Sequence, residues 1–218
     1  MIKIYGVCPS PFVRKALVCA ELKGLEYERI DIMPGKIPDD FKAISPLKKI
    51  PAITDGDFTI SDSSVICDYL EEKYPQIATA PSNPEDKARA RWLEEFADTK
   101  LAETATNIFF ERILRGVVMG HEPNEERVTN IVDELLPERL DYLETILPAS
   151  GFMFGDDLFT VDVALTTHFI NASYAGYAID KSRWPVTAAY YNRVIEHPAL
   201  QKRFDEEIAM MGTKPKAA

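Results

Sequence analysis

Three stretches of this chain gather residue types that can do chemistry. The first is the turn after the opening strand, where Tyr5, Cys8 and Ser10 offer a phenol, a thiol and a hydroxyl. Ser10 followed by Pro11 fits a helix N-cap with proline at the first helical position, which puts the hydroxyl at the positive end of a helix. Cys8, ahead of Pro9, has the position of a redox cysteine whose thiolate would form mixed disulfides. The second stretch is Ser45-Pro46-Leu47-Lys48-Lys49-Ile50-Pro51. Pro51 opens a strand, where a cis peptide would turn the N–H and C=O of Ile50 toward an extended ligand. The third is Asp62-Ser63, at the start of a helix whose free N–H groups suit a carboxylate, with Asp62 able to face an ammonium. Lys36, Lys48 and Lys49 add positive charge suited to a small anion. Each feature also has a plainer reading, as an ordinary cap, a trans proline or a solvated lysine, and residue types alone leave both open.

The elements that position these stretches follow from periodicity. Ile2 to Val7 alternates as a strand does, and Val13, Ala16, Leu17 and Ala20 recur at helical spacing until Gly24. Tyr27 to Ile32 reads as a second strand and Pro38 to Ile44 as a short helix. Ala52–Thr54 and Phe58–Ile60 are short apolar runs joined through Asp55-Gly56, a hairpin signal. Val65, Ile66, Tyr69 and Leu70 then line a helix ending near Tyr74-Pro75. The order βαβ, α, ββ, α is complete within residues 1–77. Residues 78–84 close a proline-rich linker, and everything beyond reads as helix: 85–118, 124–147, 160–175, 185–196 and 198–209, with a tail expected to fray. Thr160 is the expected cap of the third of these helices, which leaves Asp162 two residues after it.

Composition bounds the function. With 46% hydrophobic and 28% charged residues over 218 positions the chain is expected to be a soluble globular protein of one or two domains. No apolar run is long enough to span a bilayer, and no signal peptide precedes the first strand, so a cytoplasmic location is expected. The formal net charge of -10, of which residues 78–218 carry -8, excludes nucleic acid or an anionic membrane as the main partner. Cys8, Cys19 and Cys67 make neither a disulfide framework nor a metal spacing. His121, His168 and His197 likewise show no ligand pattern, so no metal is expected.

Ser-Pro-Phe-Val-Arg after the first strand, Lys-Lys-Ile-Pro before the third and Ile-Ser-Asp-Ser-Ser-Val-Ile at the last helix of the first half carry a resemblance. With an all-helical second half, the chain resembles the cytosolic glutathione transferase superfamily over essentially its whole length. Its serine-containing turn, with Arg14 four positions after Ser10, is most similar to the serine-type theta, delta and tau classes. The resemblance implies an α/β plus all-α fold: a thioredoxin-like glutathione-binding domain (1–77), a linker (78–84), and a helical domain (85–218) with a pocket for a hydrophobic co-substrate. That pocket would be bordered by the helix bearing Phe96, Phe109 and Phe110. It also implies a homodimer, with glutathione as co-substrate and no metal or redox cofactor.

Under this resemblance the residues divide by the parts of glutathione. Asp62 and Ser63 would hold the γ-glutamyl head and the main chain of Ile50, ahead of Pro51, would pair with the cysteinyl unit. Lys49, with Lys36 and Lys48, would meet the glycyl carboxylate. Ser10 would donate to the sulfur. A free thiol of pKa near 8.5 is only about 3% ionised at neutral pH, and lowering it by two units is worth about 2.7 kcal/mol. The expected reaction is attack of that thiolate on an electrophilic hydrophobic substrate. Tyr5 as the donor, Cys8 acting in a thiol transferase or glutathione-dependent reductase, and a non-catalytic binding protein of the same fold are the alternatives.

Overall fold

The computed structural model describes residues 1–218. Its first part runs β1 (Ile2–Tyr5), α1 (Pro11–Leu22), β2 (Tyr27–Ile30), β3 (Ala52–Asp55), β4 (Phe58–Ser61) and α2 (Ser63–Lys73). The strands form one sheet in the order β2-β1-β3-β4. β1 and β2 are parallel, as the crossover through α1 requires, while β3 is antiparallel to both β1 and β4. Side-chain alternation sorts β1 between two faces. Ile2 and Ile4 are buried with Val13, Leu17, Ile66 and Leu70 against α1 and α2. Tyr5 falls on the opposite face, beside Phe41.

Between β2 and β3 the chain is less regular than expected. The second strand stops at Ile30, two residues short of Ile32, and the chain runs on without strand structure into Met33-Pro34-Gly35, where the proline has no N–H for a ladder. The short helix expected over 38–44 is a single tight turn, Asp40–Ala43, which buries Phe41.

The rest is helical. The long α3 (residues 84–119) starts as Pro84–Phe96 and widens to π winding over Ala97–Thr106 and again over Phe110–Leu114. It then closes with Arg115–Met119, before Gly120 at φ +68°. α4 (residues 125–146), α5 (Thr160–Tyr174), α6 (Pro185–Glu196) and α7 (Pro198–Met211) follow. α5 is buried from Thr160 through Ser173, a helix enclosed on all sides by its neighbours.

The start of α5 and the C-terminal tail differ from the sequence expectation. The cap of α5 is Phe159 rather than Thr160, so Asp162 stands three residues after it and accepts from the Phe159 N–H at 2.8 Å. The same carboxylate takes the Met153 N–H at 2.8 Å and the Tyr190 hydroxyl, and burial raises its pKa to about 6 against those donors. The Thr160 hydroxyl instead donates to the Thr79 carbonyl at 3.2 Å, which ties α5 to the segment between the two halves. The C-terminal tail, expected to fray, docks against the helical half at two points. Lys216 N–H donates to Ser173 Oγ at 3.3 Å, and Ala218 N–H to Asn192 Oδ1 at 2.9 Å.

Candidate functional site

The three stretches converge at one end of the sheet. Gly6, at φ +139°, lies between α1 and the segment ahead of Pro51, so that a Cβ there would come within 2.4 Å of Val13 Cγ2 and 3.2 Å of Ile50 Cβ. That close approach brings the turn bearing Ser10 alongside Ile50. The Ile50–Pro51 peptide is cis, and neither the N–H nor the C=O of Ile50 takes a hydrogen bond within the chain. The Pro51 carbonyl accepts from the Asp62 N–H at 3.3 Å, which joins this segment to the start of α2.

At that start, Asp62 caps the helix. Its Oδ1 accepts from the N–H groups of Ser64 (3.0 Å) and Val65 (3.2 Å), and its backbone holds φ +87°, a strained region for a residue with a side chain. Ser63 is buried as the first helical residue, and the side chain of Asp62 stays exposed. Ser64 faces the helical half, where its hydroxyl donates to Asp98 at 3.1 Å and accepts from Lys15 at 2.9 Å. Lys15 and Asp98 are 2.5 Å apart, with His168 at 3.7 Å from the same carboxylate. Burial opposes the charge on Asp98, but His168 and Lys15 outweigh it and bring its pKa down to about 2.

The sulfur candidates separate clearly. Ser10 caps α1 and is partly buried, its Oγ accepting from the Val13 N–H at a long 3.4 Å. Cys8 is only 1% exposed, with its Sγ 4.0 Å from Met210 Sδ on α7. Burial pushes its thiol up to about 11, with Arg29 the main opposing influence. Tyr5 lies across the sheet, its hydroxyl 3.5 Å from Thr54 Oγ1. Of the lysines, Lys36 and Lys49 are exposed, whereas Lys48 pairs with Asp39 at 3.0 Å. The Lys49 backbone is held on both sides by Ser45 Oγ, at 3.1 Å from its N–H and 2.8 Å from its carbonyl.

Of the aromatic residues on α3, Phe109 is core, while Phe96 stacks on Trp92 and meets Tyr142 edge-on. The cavity of about 620 Å³ beside them is lined by Trp92, Leu93, Tyr142, Ile146 and Met153, with no residue of the Ser10 turn.

A second set of polar residues surrounds the turn, and Arg14 is the one member of it that the sequence marks. Arg14 is fully buried and donates to Glu207 on α7 (2.7 and 2.9 Å), and to Thr167 Oγ1 (2.7 Å) and Asn171 Oδ1 (2.8 Å) on α5. Thr167 and Asn171 stand four apart on one face of a helix that also buries Asp162, Thr166 and His168, so no local pattern marks them out.

Comparison with known proteins agrees with this architecture. Family models described as Glutathione S-transferase, N-terminal domain and C-terminal domain match residues 4–82 and 109–205. Mouse glutathione S-transferase theta-3 is 30% identical over 202 residues, covering 88% of this chain and 81% of its own. A wheat glutathione S-transferase is 29% identical over 204 residues, covering 91% and 90%. The crystal structure of a glutathione S-transferase from Rhodospirillum rubrum superposes with a TM-score of 0.84 at 25% identity, covering 99% of this chain and 96% of the other. With matches to both halves and this degree of identity to a full-length relative, the chain belongs to the glutathione S-transferase family.

Proposed function

We propose that this protein is a serine-type glutathione transferase in which Ser10 stabilises the glutathione thiolate for attack on an electrophilic hydrophobic substrate. The observation that carries this reading is the contrast within one turn. Ser10 stands partly buried at the N-terminus of α1, and the cap bond from Val13 uses its hydroxyl oxygen and leaves its proton free to donate. Cys8 is buried and its pKa is raised, which counts against the cysteine-dependent alternative.

The remaining roles follow from the shape of the tripeptide. Ser63 and the α2 N-terminus take the γ-glutamyl carboxylate, and the exposed side of Asp62 the ammonium. The unpaired main chain of Ile50 before Pro51 adds to the cysteinyl unit as a strand edge does. Lys49 and Lys36, with Lys48 more distant in charge because of Asp39, serve the glycyl carboxylate. Residues 1–77 then form the glutathione-binding domain and 85–218 the domain for the hydrophobic co-substrate, joined by 78–84. The reading needs no metal or redox cofactor. It includes a cytoplasmic homodimer, which the exposed Trp92, Val65 and Phe58 support as apolar surface for a second copy.

The test is the pH dependence of conjugation and of bound-thiolate absorbance in Ser10→Ala and Cys8→Ala. Ser10→Ala raises the apparent pKa of bound glutathione by about one unit and slows conjugation about ten-fold or more near neutral pH, while Cys8→Ala leaves both nearly unchanged. Loss of activity in Cys8→Ala with a normal Ser10→Ala profile overturns the proposal.

A further inference from the structure

The turn that carries Ser10 is held locally by the bond from the Arg14 N–H to the Ser10 carbonyl at 2.8 Å and by the cap, but it is short of backbone donors. Pro9 and Pro11 have no N–H, so the only backbone donor in Pro9-Ser10-Pro11 is Ser10, which bonds the Val7 carbonyl at 3.1 Å. The carbonyls on either side of the serine are therefore the available handles, and the helical half grips both. Asn171 Nδ2 donates to the Pro9 carbonyl at 2.9 Å, and Thr167 Oγ1 to the Pro11 carbonyl at 3.2 Å.

These two side chains are themselves fixed. They lie one turn apart on α5, each 1% exposed. Arg14 Nη1 donates to both, and Arg14 Nη2 reaches the Pro9 carbonyl at 3.5 Å. Asn171 Oδ1 and Nδ2 and the Thr167 hydroxyl are thus all engaged by α1 or by the turn ahead of it.

We infer that Thr167 and Asn171 are positioning residues for Ser10: the helical half, through two carbonyl contacts, sets where the hydroxyl points. The inference rests on Ser10 as the thiolate partner. A hydroxyl lowers the energy of a thiolate only if its proton is directed at the sulfur. Displacements of a few tenths of an ångström at a site of this kind are enough to weaken that bond.

The experiment uses the full-length enzyme with glutathione and a generic aryl halide. Thr167→Val removes the donor to Pro11. Thr167→Ser keeps it. Asn171→Asp removes the donor to Pro9 while retaining an acceptor for Arg14. The charged groups that bear on the neighbouring Cys8 are Arg29, Glu207, Glu206 and Arg14, and Asn171→Asp adds one more, so Thr167→Val is the arm without a charge change.

Thr167→Val and Asn171→Asp are expected to raise the apparent pKa of the bound thiol by about half to one unit, lowering kcat about three- to ten-fold at a pH below that pKa. KM for glutathione should change less than about two-fold, because the binding groups around Ser63 are untouched. Thr167→Ser should match wild type. In a Ser10→Ala background Thr167→Val should move the pH profile no further, the non-additivity expected of residues acting through one another.

An unshifted profile in Thr167→Val, or an equal shift with and without Ser10, overturns the inference. An unshifted profile in Ser10→Ala alone overturns the reading of Ser10 instead, so the two failures are distinct. Should Asn171→Asp not fold, the Thr167→Val and Thr167→Ser pair gives the same decision.

Discussion

Replacing Glu207 by alanine should destabilise the protein far more than a surface change on its last helix would. The carboxylate is fully buried and accepts three bonds, from Arg14 Nε at 2.7 Å, Arg14 Nη2 at 2.9 Å and the Tyr174 hydroxyl at 2.7 Å. Its removal leaves a guanidinium in the interior without its counter-charge. Breaking one side of a buried ion pair costs roughly 3–5 kcal/mol, and a stranded hydroxyl adds to that, though the two overlap. We take about 4 kcal/mol, a large part of the roughly 5–15 kcal/mol that folded domains possess. For a chain of this size that is a fall in Tm of about 8–16 °C. Urea unfolding followed by far-UV circular dichroism gives the value directly, provided the slope m is unchanged. The double variant Arg14→Met with Glu207→Leu should recover only part of the stability: the stranded charge is gone, but Asn171 Oδ1, Thr167 Oγ1 and the Tyr174 hydroxyl each lose a buried partner. It should not recover activity, because Thr167 and Asn171 lose the side chain that fixes them. A loss under about 1 kcal/mol in Glu207→Ala, or a double variant as weak as the single one, refutes the argument.

The folded pKa of about 2 for Asp98 lies below the value of about 3.9 in an unfolded chain, so its contribution is present above about pH 4 and is lost as pH falls through 2. The stability gap between wild type and Asp98→Asn should therefore be about 2.5 kcal/mol at pH 7 and close toward pH 2 in urea titrations; a gap independent of pH would count against the ion pair. Cys8, with a thiol pushed up to about 11, should resist an aromatic disulfide at pH 7, and one equivalent of fast labelling at this residue would contradict its burial. Ser63→Ala and Lys49→Ala should each weaken glutathione binding by about 1–3 kcal/mol in calorimetry, and unchanged affinity in both would remove them from the site.

What could be read from the sequence was decided by neighbours in the chain. The hairpin and the start of α1 at Ser10-Pro11 depend on adjacent residues, and both form; α1 starts where expected, while the hairpin turn is Gly56-Asp57, one residue later than Asp55-Gly56, because Asp55 pairs with Phe58. The parity of β1 bears on Tyr5: Ile2 and Ile4 face the helices, so Tyr5 faces the opposite side of the sheet, beside Phe41. The cap of α5 was misplaced by one residue because a main-chain N–H, that of Phe159, is the partner of Asp162, and no side-chain type marks it. Contacts at long range left no local trace. Arg14 meets Thr167, Asn171 and Glu207 from 153, 157 and 193 positions away.

The choice between Cys8 and Ser10 shows how such distant contacts bear on chemistry. Both belong to one turn, and the sequence allows either to serve. A thiol acts as a nucleophile only after it ionises, and ionisation is what burial opposes. α7 covers Cys8 through Met210, 202 positions along the chain, and its Glu206 and Glu207 add negative charge nearby. A hydroxyl that donates to a bound thiolate need not ionise, so the same acidic helix does not disable it. Capping α1 occupies a lone pair of Ser10, and donation to sulfur uses its proton. The two tasks are compatible in one side chain, and the long 3.4 Å cap bond leaves the hydroxyl free to rotate toward an incoming sulfur.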